Sequence, residues 1–157
     1  MRELNKLLGK VRVLNTPEAN PNISALEYDS RKVTSGACFF AVVGRASDGH
    51  NYISSAIEKG AVAVVCQRLP ETIDDGVAYV LVEDSNIAMA AMAAAFYDNP
   101  SHDLKLVGVT GTNGKTTTAT LLYDMFMAMG HKCGLISTVV YRIAERRIDS
   151  THTTPDS

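Results

Sequence analysis

Lys115 and Thr116 close a run in which glycines stand at 108, 111 and 114. Residues 108–118 read Gly-Val-Thr-Gly-Thr-Asn-Gly-Lys-Thr-Thr-Thr. Those residue types at that spacing do anion chemistry. Gly111 and Gly114 let the backbone curl so that successive N–H groups point inward at a negative charge. The lysine ammonium can reach terminal phosphates as a point charge, and the Thr116 hydroxyl can ligate the Mg²⁺ that travels with them. ATP with Mg²⁺ is therefore expected at Thr110, Gly111, Thr112, Asn113, Gly114, Lys115 and Thr116. Lys115 and Thr116 are the expected catalytic pair, with Thr116 as the metal ligand. The general phosphate-loop pattern has glycine at position 109, where this chain has Val109. A Gly/Thr-rich turn that binds nothing is the plainer alternative.

Such a loop needs a strand before it and a helix after it. The apolar run 104–107 and the helix-like run 119–129 are placed to supply them. The helix start would add unpaired N–H groups and the positive end of its dipole. A strand over 133–138 and an extended segment over 139–148 follow. Ahead of the loop the pattern is α/β. A short helix is expected over 3–8 and strands over 24–28, 38–43, 61–66 and 78–82. Helices are expected over 52–59, stopped by Gly60, and over 86–97 with Ser85 as N-cap. The polar stretch 98–103, with Pro100, reads as a break. The organisation predicted is a domain over 1–98, a linker over 99–103 and the start of a second domain over 104–157. The fold class is α/β: a small mixed α/β domain, then the opening of a P-loop NTPase-like, parallel-sheet domain. About two strands and one full helix of that second domain are legible, so a fragment of a longer protein is expected.

Bulk properties narrow the function classes. The 157 residues are 46% apolar and 20% charged, with a net charge of −2. This is ordinary for a globular protein, and no basic run or global field favours nucleic acid. The longest apolar run, 87–97, is too short to span a bilayer, so no membrane role is expected. Cys38, Cys66 and Cys133 are an odd, widely spaced set in apolar stretches. Buried free thiols in a reducing, cytoplasmic setting are expected from them.

Four patches together resemble the Mur ligase family, the ATP-dependent enzymes that build the peptide of bacterial cell-wall precursors. They are Tyr28-Asp-Ser-Arg-Lys-Val-Thr-Ser-Gly36 running into Cys38-Phe-Phe-Ala-Val-Val-Gly44, Asp48-Gly-His-Asn-Tyr-Ile53, the loop 108–118, and Thr153-Thr-Pro-Asp156. Valine at 109 is usual in that family. The loop and the Thr-Thr-Pro-Asp ending look like the member that adds a diamino acid to the D-Glu of UDP-MurNAc-L-Ala-D-Glu. The resemblance implies a uridine-sugar-binding domain over 1–98 and the start of an ATPase domain after it. It implies that ATP activates a carboxylate as an acyl phosphate, which an amine then attacks. By the same resemblance Ser30, Arg45, Ala46, Ser47, Thr153 and Thr154 contact the UDP-MurNAc-dipeptide. The remaining catalytic residues would lie beyond residue 157, so the chain alone is expected to be inactive, and the full-length protein a monomer. Whether diaminopimelate or L-lysine is added stays open.

Plainer roles are expected elsewhere. His50 reads as a loop-stabilising residue, and His102 and His131 as solvated. The Met and Ala stripe 89–95 reads as helix packing. Arg142, Arg146 and Arg147 read as a solvated strand face. Two other functions remain in view. One is the next ligase of the pathway, which adds D-Ala-D-Ala to the UDP-MurNAc-tripeptide. The other is a P-loop nucleotide-binding module without chemistry, under which residues 28–53 have no explanation.

Overall fold

In the computed structural model, residues 1–15, 17–44, 47–144 and 146–149 are described. The chain divides into two compact units, Met1–Asp103 and Leu104–Ser157.

The first unit opens with β1 (Arg2–Glu3) and α1 (Leu4–Leu7), continued by a 3-10 turn over Leu8–Lys10. β2 (Asn22–Ile23) pairs antiparallel with β1. The main sheet is β3 (Ala25–Glu27), β4 (Ala37–Phe40), β5 (Ala61–Cys66) and β6 (Ala78–Leu81), parallel throughout and in that spatial order. A 3-10 turn over Gly49–Tyr52 leads into α2 (Ile53–Glu58), and α3 (Ser85–Phe96) follows β6.

The continuous apolar runs of β4 and β5 make sense because both faces of this sheet are covered. Cys38, Phe40, Val65, Val80 and Val82 pack with Leu4 and Leu7 of α1 and with Ala88, Met89 and Met92 of α3. Phe39, Ala41, Val64, Cys66 and Tyr79 pack on the other face, with Ile53 and Ala56 of α2. Strict alternation would put Ala61 and Ala63 on one face. A register shift opposite Ala37 and Cys38 separates them, so Ala61 joins the α2 side and Ala63 the α1 and α3 side.

The edge strand β6 is covered by residues 13–15, which come before β2 in sequence. Leu14 N–H donates to the Leu81 carbonyl at 2.8 Å. The Asn15 side chain donates to the Tyr79 carbonyl at 2.8 Å and accepts from Leu81 N–H at 2.7 Å. The amide so replaces a missing neighbour strand. The N-cap of α3 is Asp84, which accepts from the N–H groups of Asn86 and Ile87, not Ser85 as expected. Ser85 is buried, and its hydroxyl donates to the Ala41 carbonyl at 3.0 Å. Burial decides between two adjacent capping types that sequence alone cannot rank.

The second unit contains α4 (Lys115–Ala128), β7 (Gly134–Ile136), β8 (Val140–Ile143) and β9 (Arg146–Asp149). Its small core is Tyr123, Leu135 and Val140, flanked by Ala119, Met127 and Cys133. The mixed α/β class holds, but the described strands here form an antiparallel meander, β7-β8-β9. Short connections allow only hairpins, since a parallel crossover needs a dozen or more residues. Residues 104–107, expected as a strand, carry no regular structure, and Leu106 is 92% exposed. A strand forms only where a neighbour takes its hydrogen bonds, and none of the described residues pairs with this segment. No helix among the described residues is long and apolar enough to cross a membrane.

Candidate functional site

In the second unit the glycine-rich run turns directly into α4. Gly111 and Gly114 have φ of 151° and 76°, and Gly114 is the N-cap of the helix. A Cβ at Gly114 would meet nothing within 4 Å. The backbone conformation, not crowding, is what favours glycine there. The first intrahelical bond is Thr118 N–H to the Gly114 carbonyl, 2.9 Å. The amides of residues 115–117 therefore have no acceptor within the helix. No side chain caps this end and no acidic residue sits in its first turn, so the positive end of the dipole is uncompensated.

Lys115 adds the mobile charge. Its ammonium donates to the carbonyl oxygens of Gly111 at 2.5 Å and Thr112 at 3.3 Å. Thr110 to Lys115 are exposed and Thr116 is half-buried. The expected ATP residues are thus contiguous: an open turn, the first residues of α4, and one ammonium folded over the turn. No group of three or more His, Cys, Asp or Glu that could hold a metal exists among the described residues. A cation at Thr116 would draw on one hydroxyl, phosphate oxygens and water, a donor set that suits Mg²⁺.

In the first unit the expected uridine-side residues follow β3 and β4. The turn after β3 is built by Asp29, whose carboxylate accepts Arg31 N–H at 3.0 Å and the Arg31 guanidinium at 2.9 and 2.8 Å. The guanidinium bonds, helped by the backbone N–H, hold the Asp29 carboxyl at a pKa of about 2. Ser30, half-buried, sits inside this turn, and its carbonyl accepts from the Lys59 ammonium at 2.9 Å. The tie to Lys59 was not legible locally, since Lys59 lies 29 positions away.

After β4, Val42–Gly44 and Ser47–Gly49 face each other as the two arms of a hairpin. Val43 and Asp48 bridge antiparallel, and Gly44 N–H donates to the Ser47 carbonyl at 2.9 Å. Ser47 is exposed. Arg45 and Ala46, and likewise Thr153 and Thr154, lie outside the described residues. Both turns leave the carboxyl ends of neighbouring parallel strands, the edge at which open α/β sheets take ligands.

Asp48 is the hub of this edge. It accepts His50 N–H at 3.0 Å, His50 Nδ1 at 2.6 Å and the Arg68 guanidinium at 2.5 Å. These bonds, the backbone one foremost, hold its carboxyl well below the usual carboxylate range. The His50 side chain is 5% exposed, and its Nε2 accepts from Gln67 N–H at 3.0 Å. An acceptor at Nε2 leaves the proton on Nδ1, facing Asp48. His50 thus has the loop-holding role expected of it. The sequence offered no signal for Gln67 or Arg68, because both partners stand beyond the end of β5.

The model for the Mur ligase family, catalytic domain, matches residues 22–97, and that for the Mur ligase middle domain matches 109–157. The UDP-N-acetylmuramoyl-L-alanyl-D-glutamate–2,6-diaminopimelate ligase of Parabacteroides distasonis is 49% identical over 155 residues, covering 98% of this chain and 32% of its own length. The protein of the same name, numbered 1, from Clostridium acetobutylicum is 46% identical over 99% of this chain and 32% of its own. The chain thus spans about a third of the length of the curated relatives it matches. A solved UDP-N-acetylmuramoyl-L-alanyl-D-glutamate–2,6-diaminopimelate ligase superposes with a TM-score of 0.67 at 21% identity, over 98% of this chain and 30% of that one, which shows the fold. The MurF ligase of Thermotoga maritima, solved in complex with ADP, matches at a TM-score of 0.52 and 32% identity, over 66% of this chain and 23% of that one. With its parallel sheet, its glycine-rich turn and two matching models that follow one another along it, the chain belongs to the Mur ligase family.

Proposed function

We propose that this chain supplies the uridine-nucleotide-binding unit and the ATP loop of a ligase that joins a diamino acid to the D-Glu of UDP-MurNAc-L-Ala-D-Glu. One observation carries this reading. A protein named as a diaminopimelate ligase is 49% identical over 155 residues, a stretch that takes in both the first unit and the loop. Those names favour 2,6-diaminopimelate over L-lysine as the amine.

A carboxylate is a poor electrophile, so it must be given a leaving group. A side-chain carboxylate oxygen of the dipeptide attacks the γ-phosphorus of ATP and ADP departs. The amine nitrogen then attacks the acyl carbon, phosphate leaves, and the nitrogen loses a proton. The protein's part is to position anions and offset their charge. The amides of residues 111–117 and the Lys115 ammonium do this for the phosphates. Thr116 would hold Mg²⁺, which would supply charge neutralisation for the phosphates. Ser30 and Ser47 serve the uridine nucleotide, since a hydroxyl can both donate and accept. Arg45, Ala46, Thr153 and Thr154 are assigned to the same substrate through the family pattern. The same reading assigns the reaction to the cytoplasm.

Calorimetric titration with UDP, UDP-MurNAc-dipeptide and ATP·Mg²⁺ tests the reading. Saturable heat is expected with both nucleotide classes. Heat with ATP and none with either uridine ligand would leave only a nucleotide-binding module. Preference for the UDP-MurNAc-tripeptide over the dipeptide would move the assignment to the ligase that adds D-Ala-D-Ala.

A further inference from the structure

The hairpin that carries Ser47 is anchored at its base by Asp48, and Asp48 is itself held from outside the hairpin. Val43 bridges to Asp48, and Gly49 N–H donates to the Val42 carbonyl at 2.8 Å. The imidazole of His50 then runs from the Asp48 carboxylate, 2.6 Å, to the backbone N–H of Gln67, 3.0 Å. Gln67 directly follows β5, and its own side chain donates to the Glu83 carbonyl beyond β6 at 3.2 Å. The ring thus connects Asp48 to the carboxyl end of β5, and the Gln67 side chain carries the link on to the end of β6.

We propose that His50 is a positioning residue for the uridine nucleotide: its bond to Gln67 N–H sets where Asp48 and the adjoining Ser47 stand, and hence how well Ser47 meets the ligand. The inference rests on the assignment of the uridine nucleotide to this edge. The ring does two separable things. Nδ1–H donates to Asp48, and Nε2 accepts from Gln67. The first is local and is duplicated, because Asp48 also takes Arg68 and the His50 backbone N–H. The second is the link across strands. Arg68 repeats only part of it, from an exposed guanidinium. A positioning role therefore follows the Nε2 acceptor.

Two near-isosteric substitutions separate these functions. In His50→Gln the side-chain oxygen can stand at the Nε2 position and accept from Gln67. In His50→Asn the amide nitrogen can stand at Nδ1 and donate to Asp48, but nothing reaches Gln67. UDP affinity of the wild-type chain, His50→Gln, His50→Asn and His50→Ala is measured by titration, with ATP·Mg²⁺ affinity and the melting temperature alongside. His50→Gln is expected to stay within about threefold of wild type for UDP. His50→Asn and His50→Ala are expected to weaken UDP by about tenfold, about 1.4 kcal/mol, with ATP affinity unchanged in all. A merely structural role would lower the melting temperature of His50→Asn and His50→Gln alike and leave their UDP affinities equal; that result overturns the proposal. Unaltered UDP binding in His50→Ala overturns it too, with the uridine assignment intact. Absence of UDP binding in the wild type removes the uridine assignment and this inference with it.

Discussion

The ammonium of Lys115 lies 2.5 Å from the carbonyl oxygen of Gly111, four residues back across the glycine-rich turn. A phosphate arriving at this turn competes with two backbone carbonyls for the same cation. Lys115→Ala is expected to weaken ATP·Mg²⁺ by at least tenfold, in line with loss of a charge-assisted contact worth about 1.5–3 kcal/mol. UDP affinity should not change. Titration of both ligands against the one variant checks this, and equal loss of both would argue against two separate sites.

Ser30→Ala should do the reverse. Its turn is held by Asp29–Arg31 and by Lys59, none of which uses the serine hydroxyl. The turn should persist, UDP should bind about threefold to tenfold more weakly for loss of a neutral hydrogen bond, and ATP should bind as before. The same titrations read it.

Gly49→Ala tests the packing under the hairpin. An added Cβ would stand 2.6 Å from Val42 N and 2.8 Å from Val42 O, both backbone atoms that cannot swing aside. Destabilisation of about 1–3 kcal/mol is expected, as for other overpacked sites. Urea denaturation of wild type and variant measures it.

The thiols should divide by burial. Cys38 and Cys66 are buried, and burial pushes their pKa up to about 12 and about 11. The thiolate is the reactive form. A maleimide at neutral pH should label half-buried Cys133 first in the folded protein and all three only after unfolding. Mass spectrometry of the labelled peptides reads this. Rapid labelling of Cys66 would contradict the packing around β5.

Asp29 should titrate low. Its pKa is about 2 in the fold against an ordinary value near 3.8. A depressed carboxyl contributes stability that is fully present above the unfolded value and is lost as pH falls from about 3.8 through about 2. Arg31→Ala should move the Asp29 midpoint upward toward the ordinary range, as followed by carboxyl NMR.

Local patterns carried much of the fold. The strand over 61–66 is observed with those bounds as Ala61–Cys66, because its valines and alanines can be buried on both faces of a parallel sheet. The glycine-rich turn leading into a helix was equally legible, since the glycines, lysine and threonine are contiguous and the helix begins at Lys115. The run 104–107 misled for a physical reason. Apolar composition states a preference for burial, and a strand further requires a paired neighbour.

The residue types along 108–118 by themselves set an expectation of anion chemistry at one turn, and those along 28–53 carried the family resemblance. Tertiary structure alone decided what holds those turns. Asp48 meets Arg68 across 20 positions, His50 meets Gln67 across 17, and Lys59 meets Ser30 across 29. Spacing along the chain encodes only contacts within one helix or strand. Contacts between the ends of separate strands exist only once the sheet has brought those ends side by side.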